Sequence, residues 1–119
     1  MTLVDTSIWI DHLRSGSDQL AALLEANMVL VHPFIIGELA CGNLKNRDQV
    51  IAEMQRLPQA IVASDSEALQ FIDAQQLMGA GVGYIDVHLL ASAALTPGAE
   101  IWTRDKTLAG IAARFTNLH

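Results

Sequence analysis

Apolar residues fall along this chain in short blocks, separated by polar residues and glycines at regular intervals. Thr2-Leu3-Val4 is a short run of the kind a buried strand uses. Thr6 to Arg14 reads as a helix and Ser15-Gly16-Ser17 as a turn. Ser17 or Asp18 caps a second helix to about Ala26, and Asn27 stops it. Met28–Val31 is a second strand. Pro33 suits the first turn of the next helix, where its missing N–H costs nothing. That helix runs to about Cys41, with Gly42-Asn43 ending it. Arg47 to Arg56 is another helix, and Ala60–Val62 a third strand. Ser64 and Glu67 form a capping box that opens a helix to about Met78. Gly79, Gly81 and Gly83 make a flexible turn. A helix from Tyr84 to Leu95 stops at Thr96-Pro97-Gly98. Ile101–Thr103 is a fourth strand, Asp105 to Ala113 a final helix, and Thr116–Leu118 a fifth, edge strand. Strands alternating with helices imply parallel crossovers and an α/β sandwich. Ligands in such sheets bind beyond the carboxyl ends of strands, near a switch in strand order. Asp5 lies at one such end and Asp105 just past another.

Those two acids belong to a wider pattern. Asp5, Glu38, Asp86 and Asp105 all stand inside or against segments that would otherwise be core. An unpaired buried carboxylate is costly and tends to neutralise. Local explanations exist for some of them. Asp5 and Asp105 suit helix N-caps, and Asp86 suits the positive end of its helix. Asp65 is the internal comparison: it stands among Ser64, Ser66 and Glu67, a polar setting that capping explains. Glu38 and Asp86 resist that account. The helix of Asp86 is apolar nearly all round, as a buried helix is. Neither acid has a Lys or Arg three or four positions away to pair with. A cluster of hard oxygen ligands without cysteine suits Mg²⁺ or Mn²⁺, one ion or two. Thr6, Ser7 and Thr103 are placed to orient carboxylates or waters around such an ion, though hydroxyls are ordinary at strand ends. His12 and His88 stand nearby, and ordinary packing accounts for both.

Composition narrows the rest. A chain of 119 residues, half of them hydrophobic, fits a single domain over 1–119 with a real core. No apolar run approaches the roughly 18 residues of a membrane span. The start lacks the basic flank of a secretory signal. Cys41 stands alone, which excludes an internal disulfide and a cysteine-based zinc site. These features suit a cytoplasmic protein. The formal net charge is -6, and no basic stripe is visible. Either nucleic acid is not a partner, or metal ions neutralise the acidic site and phosphates bridge to them. The acid excess also suits a basic partner segment.

Four segments together resemble the PIN-domain nucleases, in particular the VapC-type toxins of bacterial toxin–antitoxin pairs. They are Leu3-Val4-Asp5-Thr6-Ser7-Ile8-Trp9-Ile10-Asp11, Gly37-Glu38-Leu39, Ile85-Asp86-Val87-His88-Leu89-Leu90-Ala91 and Trp102-Thr103-Arg104-Asp105. The resemblance implies a three-layer sandwich whose five-stranded parallel sheet has the order 3-2-1-4-5. It also implies a metal-dependent endoribonuclease, with Asp5, Glu38, Asp86 and Asp105 as the catalytic, metal-holding acids. Thr103 matches the hydroxyl residue before the fourth acid. Thr6 or Ser7 matches the polar residue after the first. A cognate antitoxin with a basic segment and a homodimer are implied too. For the RNA backbone, Arg14, Lys45, Arg47, Arg104 and Lys106 are candidates, with solvated helix surface as the plainer account of each. Trp9 is better explained by core packing than by base stacking. Three rivals remain. A haloacid-dehalogenase-like phosphatase wants a second Asp two residues after the first, where this chain has Ser7. A phospho-acceptor receiver wants an acidic pair before its Asp and a Lys better placed than Lys106. A catalytically silent PIN-like binding module has no need of four retained acids.

Overall fold

A computed structural model describes residues 1–116 of the chain. Three short strands form a parallel sheet: β1 (Thr2–Val4), β2 (Val29–Leu30) and β3 (Glu100–Trp102), in the order β2-β1-β3. Thr2 and Leu3 pair with Val29 and Leu30 on one side of β1. Thr2, Leu3 and Val4 pair with Glu100, Ile101 and Trp102 on the other. The strand order therefore reverses at β1, and Asp5 and Thr103 follow directly at the two strand ends of that crevice. Seven helices complete the described residues: α1 (Thr6–Ser15), α2 (Asp18–Glu25), α3 (Pro33–Ala40), α4 (Arg47–Arg56), α5 (Asp65–Gln75), α6 (Tyr84–Leu95) and α7 (Lys106–Thr116).

Two apolar clusters hold this frame. Leu3, Val4, Val29 and Leu30 of the sheet pack with Ile8, Trp9, Leu20, Ile35, Leu39 and Met54. A second cluster joins Ala68, Leu77, Val87, Leu90, Leu108, Ile111 and Ala112. α6 serves both, because Leu89 and Ala93 enter the first cluster while Val87 and Leu90 enter the second. Every residue from Val87 to Ala93 is buried, as the all-round apolar sequence requires. Trp9 is core, only 4% exposed. No helix among the described residues is long and apolar enough to cross a membrane.

The sheet departs from the sequence expectation at both edges. The third strand expected at Ala60–Val62 shrinks to one parallel bridge between Val31 and Gln59. The N–H of Val31 donates to the Pro58 carbonyl, and that of Ala60 to the Val31 carbonyl, both at 2.9 Å. Beyond it, the donors that would extend the ladder go to α6. Ile61 N–H bonds Thr96 Oγ1 at 2.9 Å, and Ala63 N–H bonds Ser92 Oγ at 3.0 Å. The fifth strand expected at Thr116–Leu118 begins on a residue that ends α7, and Asn117 and Leu118 lie outside the described residues. The helix outruns its expected stop at Ala113 because its apolar stripe continues. Leu108, Ile111 and Ala112 are buried, and the Phe115 ring lies 5.0 Å from that of Phe71. α5 instead ends early, at Gln75 rather than Met78. Gln76 turns left-handed, at φ 54°, and this turn tucks Leu77 into the second cluster.

Candidate active site

β1 ends where its apolar run ends, and Asp5 takes over three tasks there. Its N–H stays in the sheet, donating to the Trp102 carbonyl at 2.9 Å. Its carbonyl accepts from Ile8 and Trp9 as the N-cap of α1. Its carboxylate is fixed at both oxygens: Oδ1 accepts from the Thr6 N–H at 2.8 Å, and Oδ2 from the Thr103 hydroxyl at 2.6 Å. Thr103 Oγ1 accepts in turn from the Asp105 N–H at 3.1 Å. Asp105 caps α7, with Oδ1 receiving the N–H groups of Thr107 and Leu108 at 2.9 and 3.1 Å. Thr6 donates from its hydroxyl to Glu38 Oε1 at 2.9 Å. One hydrogen-bonded chain thus runs from Glu38 through Thr6, Asp5 and Thr103 to Asp105. Thr6, not Ser7, is the residue of that pair that touches an acid. Ser7 Oγ is buried and has no hydrogen-bond partner among the described residues.

Asp86 joins this group by its field. It stands in the first turn of α6, half-buried. Burial raises its carboxyl above the ordinary value, and the charges of Asp5, Asp105 and Glu38 raise it further. The Gly83 N–H, donating to it, pulls the other way. The four acids expected from the sequence therefore face one another. Burial, however, distinguishes them. Glu38 and Asp105 are exposed while Asp5 and Asp86 are half-buried, so the four stand against core segments and none lies in the core itself. The reason is that α3 turns Ile35 and Leu39 inward and Glu38 outward.

The donor set fits a hard divalent cation: carboxylate oxygens with hydroxyls behind them and no sulfur. Among the described residues, no three acids stand close enough to grip an ion outright. Like charges repel, and Asp86 carries the electrostatic consequence. An ion among them would reverse the sign of that interaction.

Three polar contacts nearby were not legible in the sequence. His32 is fully buried at the N-cap of α3. Its Nδ1 accepts from the Phe34 N–H at 3.0 Å, which leaves Nε2 to donate to Ser92 Oγ at 3.1 Å. Burial, and then the nearby His88, lowers its pKa from 6.5 to about 4. Asp65 does more than the capping expected of it, since Ser64 is the cap. Its Oδ1 accepts from the Tyr84 hydroxyl at 3.2 Å and meets His88 Nε2 at 3.1 Å. The spacing of Tyr84 and His88, one helical turn apart, was the available signal. Arg104 contacts the Asp11 carboxylate, two residues far apart in sequence that no local pattern links.

An α/β domain with strand-end acids at the reversal of a parallel sheet defines the class. Residues 2–114 match the PIN domain family model, and the chain belongs to that family. Among curated relatives, it is similar to Ribonuclease VapC32 of Mycobacterium tuberculosis, strain CDC 1551 / Oshkosh, and to the protein of the same name in strain ATCC 25618 / H37Rv. Each is 44% identical over 108 residues, which is 91% of this chain and 87% of the relative.

Proposed function

We propose that this PIN domain is an endoribonuclease, the toxin of a toxin–antitoxin pair, and that it hydrolyses RNA phosphodiester bonds. The observation that carries this reading is the hydrogen-bonded chain from Glu38 through Thr6, Asp5 and Thr103 to Asp105 at the sheet reversal, with Asp86 within reach of their charges and no Lys or Arg bonded to any of the four acids among the described residues. The ribonuclease name of relatives that share 44% of their aligned residues supports the substrate class.

Asp5, Glu38, Asp86 and Asp105 would hold Mg²⁺ or Mn²⁺, one ion or two. A divalent ion at such a site supplies a more nucleophilic water and charge stabilisation at the phosphate. The chain's own part is positioning. Thr103 fixes one oxygen of Asp5 and the backbone of Asp105, and Thr6 fixes Glu38. A hydroxyl donating to a carboxylate makes a short, charge-assisted bond, so these acids keep their aim before an ion arrives. No histidine is needed as a base. His88 is turned to Asp65, and His12 Nδ1 accepts from the Ser17 N–H.

An Asp5→Asn variant is expected to lose RNA cleavage by at least about a hundredfold, since losing only a hydrogen-bond partner of a metal ligand already costs about 10–100-fold. Cleavage is measured with Mn²⁺ or Mg²⁺ present, and circular dichroism checks the fold. Undiminished metal-dependent cleavage would sink the role of Asp5. The phosphatase rival predicts release of phosphate from small phosphoesters, and Ser7, whose buried hydroxyl has no partner among the described residues, offers it no second acid. The silent binding module predicts no divalent-ion effect on the thermal midpoint.

The same reading gives the protein a cytoplasmic setting, a partner antitoxin with a basic segment, and a homodimer. The exposed Ile61, Val62 and Leu95 lie near one another beside Thr96 and support a surface covered by a second copy. A solution mass of one 12.8 kDa chain would refute the dimer.

A further inference from the structure

α1 has a second chemical face. Ile8, Asp11 and Ser15 recur at helical spacing on the side turned away from Thr6 and Glu38. An open groove of about 360 Å³ lies between that face and the end of β3. Its size falls within the range of about 300–1,000 Å³ typical of small-ligand sites. Trp102 and Arg104 line it from the strand, and Asp11, Ser15 and Ser17 from the helix and its C-terminal turn. Thr103, between the two strand-side residues, turns its hydroxyl to Asp5 instead. Groove and acidic site are thus joined through consecutive residues.

The lining is the exposed part of a half-buried tryptophan that also packs on the first apolar cluster, a guanidinium, a carboxylate and two hydroxyls. That set matches the parts of a nucleotide. An indole face stacks a base whatever its sequence, a guanidinium grips a phosphate with paired donors, and the oxygens suit sugar hydroxyls. Arg104 already points into the groove through its contact with Asp11. This contact is not an aligned hydrogen bond, because Asp11 Oδ2 has no hydrogen-bond partner. The Arg104 side chain is 65% exposed and that of Asp11 37%. Pairs this exposed contribute little to folding, so a phosphate competes for the guanidinium at small cost. In a chain of net charge -6, a cation one residue from both Thr103 and Asp105 is also well placed to hold an anionic strand against an acidic site.

We propose that this groove is a subsite for one ribonucleotide of the RNA strand, next to the phosphodiester that is cut, with the base on Trp102 and the phosphate on Arg104. The proposal rests on the ribonuclease reading for its choice of RNA. Asp11 is a positioning residue that holds Arg104 in the groove until the phosphate takes it.

The test is equilibrium binding of a short labelled single-stranded oligoribonucleotide, followed by fluorescence anisotropy in EDTA so that no cleavage occurs. Arg104→Ala is expected to weaken binding about tenfold and to shallow the salt dependence by about 0.7, the share of one phosphate on a single strand. Arg56→Ala, on the last turn of α4, changes net charge equally and is expected to have less than about a third of that effect. Trp102→Leu is expected to lose about tenfold and Trp102→Phe to keep most of the affinity, as stacking requires. Asp11→Asn frees the guanidinium and is expected to tighten binding. Thermal melts accompany each variant.

Equal losses in Arg104→Ala and Arg56→Ala would mean a diffuse charge effect and overturn the subsite. A loss in Asp11→Asn as large as that in Arg104→Ala would make the ion pair structural and overturn it too. Wild-type protein that binds in the expected pattern but never cleaves with Mg²⁺ or Mn²⁺ refutes the ribonuclease reading and leaves the subsite standing. Protein that cleaves, while Arg104→Ala keeps both affinity and KM, refutes the subsite alone. Wild-type protein that neither binds nor cleaves refutes both.

Discussion

Asp86 carries a charge that its surroundings resist. Val87 to Ala93, which follow it in α6, are buried, and the charges of three other carboxylates act on it. Its folded pKa lies above the ordinary carboxylate value, so between those two values the folded chain binds more protons than the unfolded one. Stability therefore falls as pH rises through that window, and at neutral pH the charged Asp86 opposes folding. Asp86→Asn removes that opposition while keeping the side chain's shape. In EDTA at pH 7 the variant is expected to melt above the wild type, and below the ordinary carboxylate pKa the two should converge. Mn²⁺ should then raise the wild-type midpoint more than that of the variant, because the ion binds the four-acid form. Differential scanning fluorimetry at two pH values reads both effects. A variant that melts lower in EDTA would show that Asp86 is held by contacts rather than strained by charge. Thr103 illustrates the opposite case. Its hydroxyl joins two acids through one donated and one accepted bond, a role that only the folded neighbours define.

At the scale of elements, the polar link between α3 and α6 is one neutral imidazole, beside the apolar packing of Ile35 and Leu39 with Leu89 and Ala93. His32 caps α3 through Nδ1 and reaches α6 through Nε2, and the same Ser92 oxygen accepts the Ala63 N–H from the segment after the bridge. Protonation would put a donor at Nδ1 against the Phe34 N–H and a charge where no water reaches. Hence the folded pKa is about 4 against 6.5 for a free imidazole. A lowered histidine pKa contributes stability that is fully present above pH 6.5 and is lost as pH falls towards 4. The difference corresponds to about 3 kcal/mol. Urea unfolding of the wild type is expected to show this loss between pH 6.5 and 4, and His32→Asn, which keeps a capping side chain, to lack it. An identical acid slope in both proteins would assign the loss to other groups. The helices themselves were largely legible. α4 and α6 fall at their expected bounds because Arg47–Arg56 and Tyr84–Leu95 are framed by breakers on both sides. The third strand was not, since Ala60–Val62 has strand composition, yet after Ala60 N–H bonds Val31 the Ile61 N–H turns to Thr96 and that of the following Ala63 to Ser92. Composition sets a preference for extended backbone; only the neighbour decides which acceptor it meets.

For the whole molecule, the acid excess and the convergent carboxylates are one property seen at two distances. On the proposed reading, the acids near the sheet reversal would draw cations, and a partner segment carrying Arg would be one such cation. A co-expressed antitoxin is expected to block RNA cleavage through such a segment. Replacing all its Arg residues near the acids should restore cleavage, measured on total RNA after brief induction; inhibition that survives the change would place the partner elsewhere on the surface. The sequence by itself determined the alternation of strands and helices and the parallel sheet, because hydrophobic period, caps and breakers act over a few residues; it also singled out four acids and Thr103, as a set, through the resemblance of four segments to one family. It could not choose between Thr6 and Ser7, tell an exposed Glu38 from a half-buried Asp86, or pair Arg104 with Asp11. Those outcomes depend on which side of a helix meets which neighbour, and on distances between residues up to 98 apart, as between Asp5 and Thr103. Tertiary structure alone sets those distances, and at a few ångströms the charge of one carboxylate changes the proton affinity of the next.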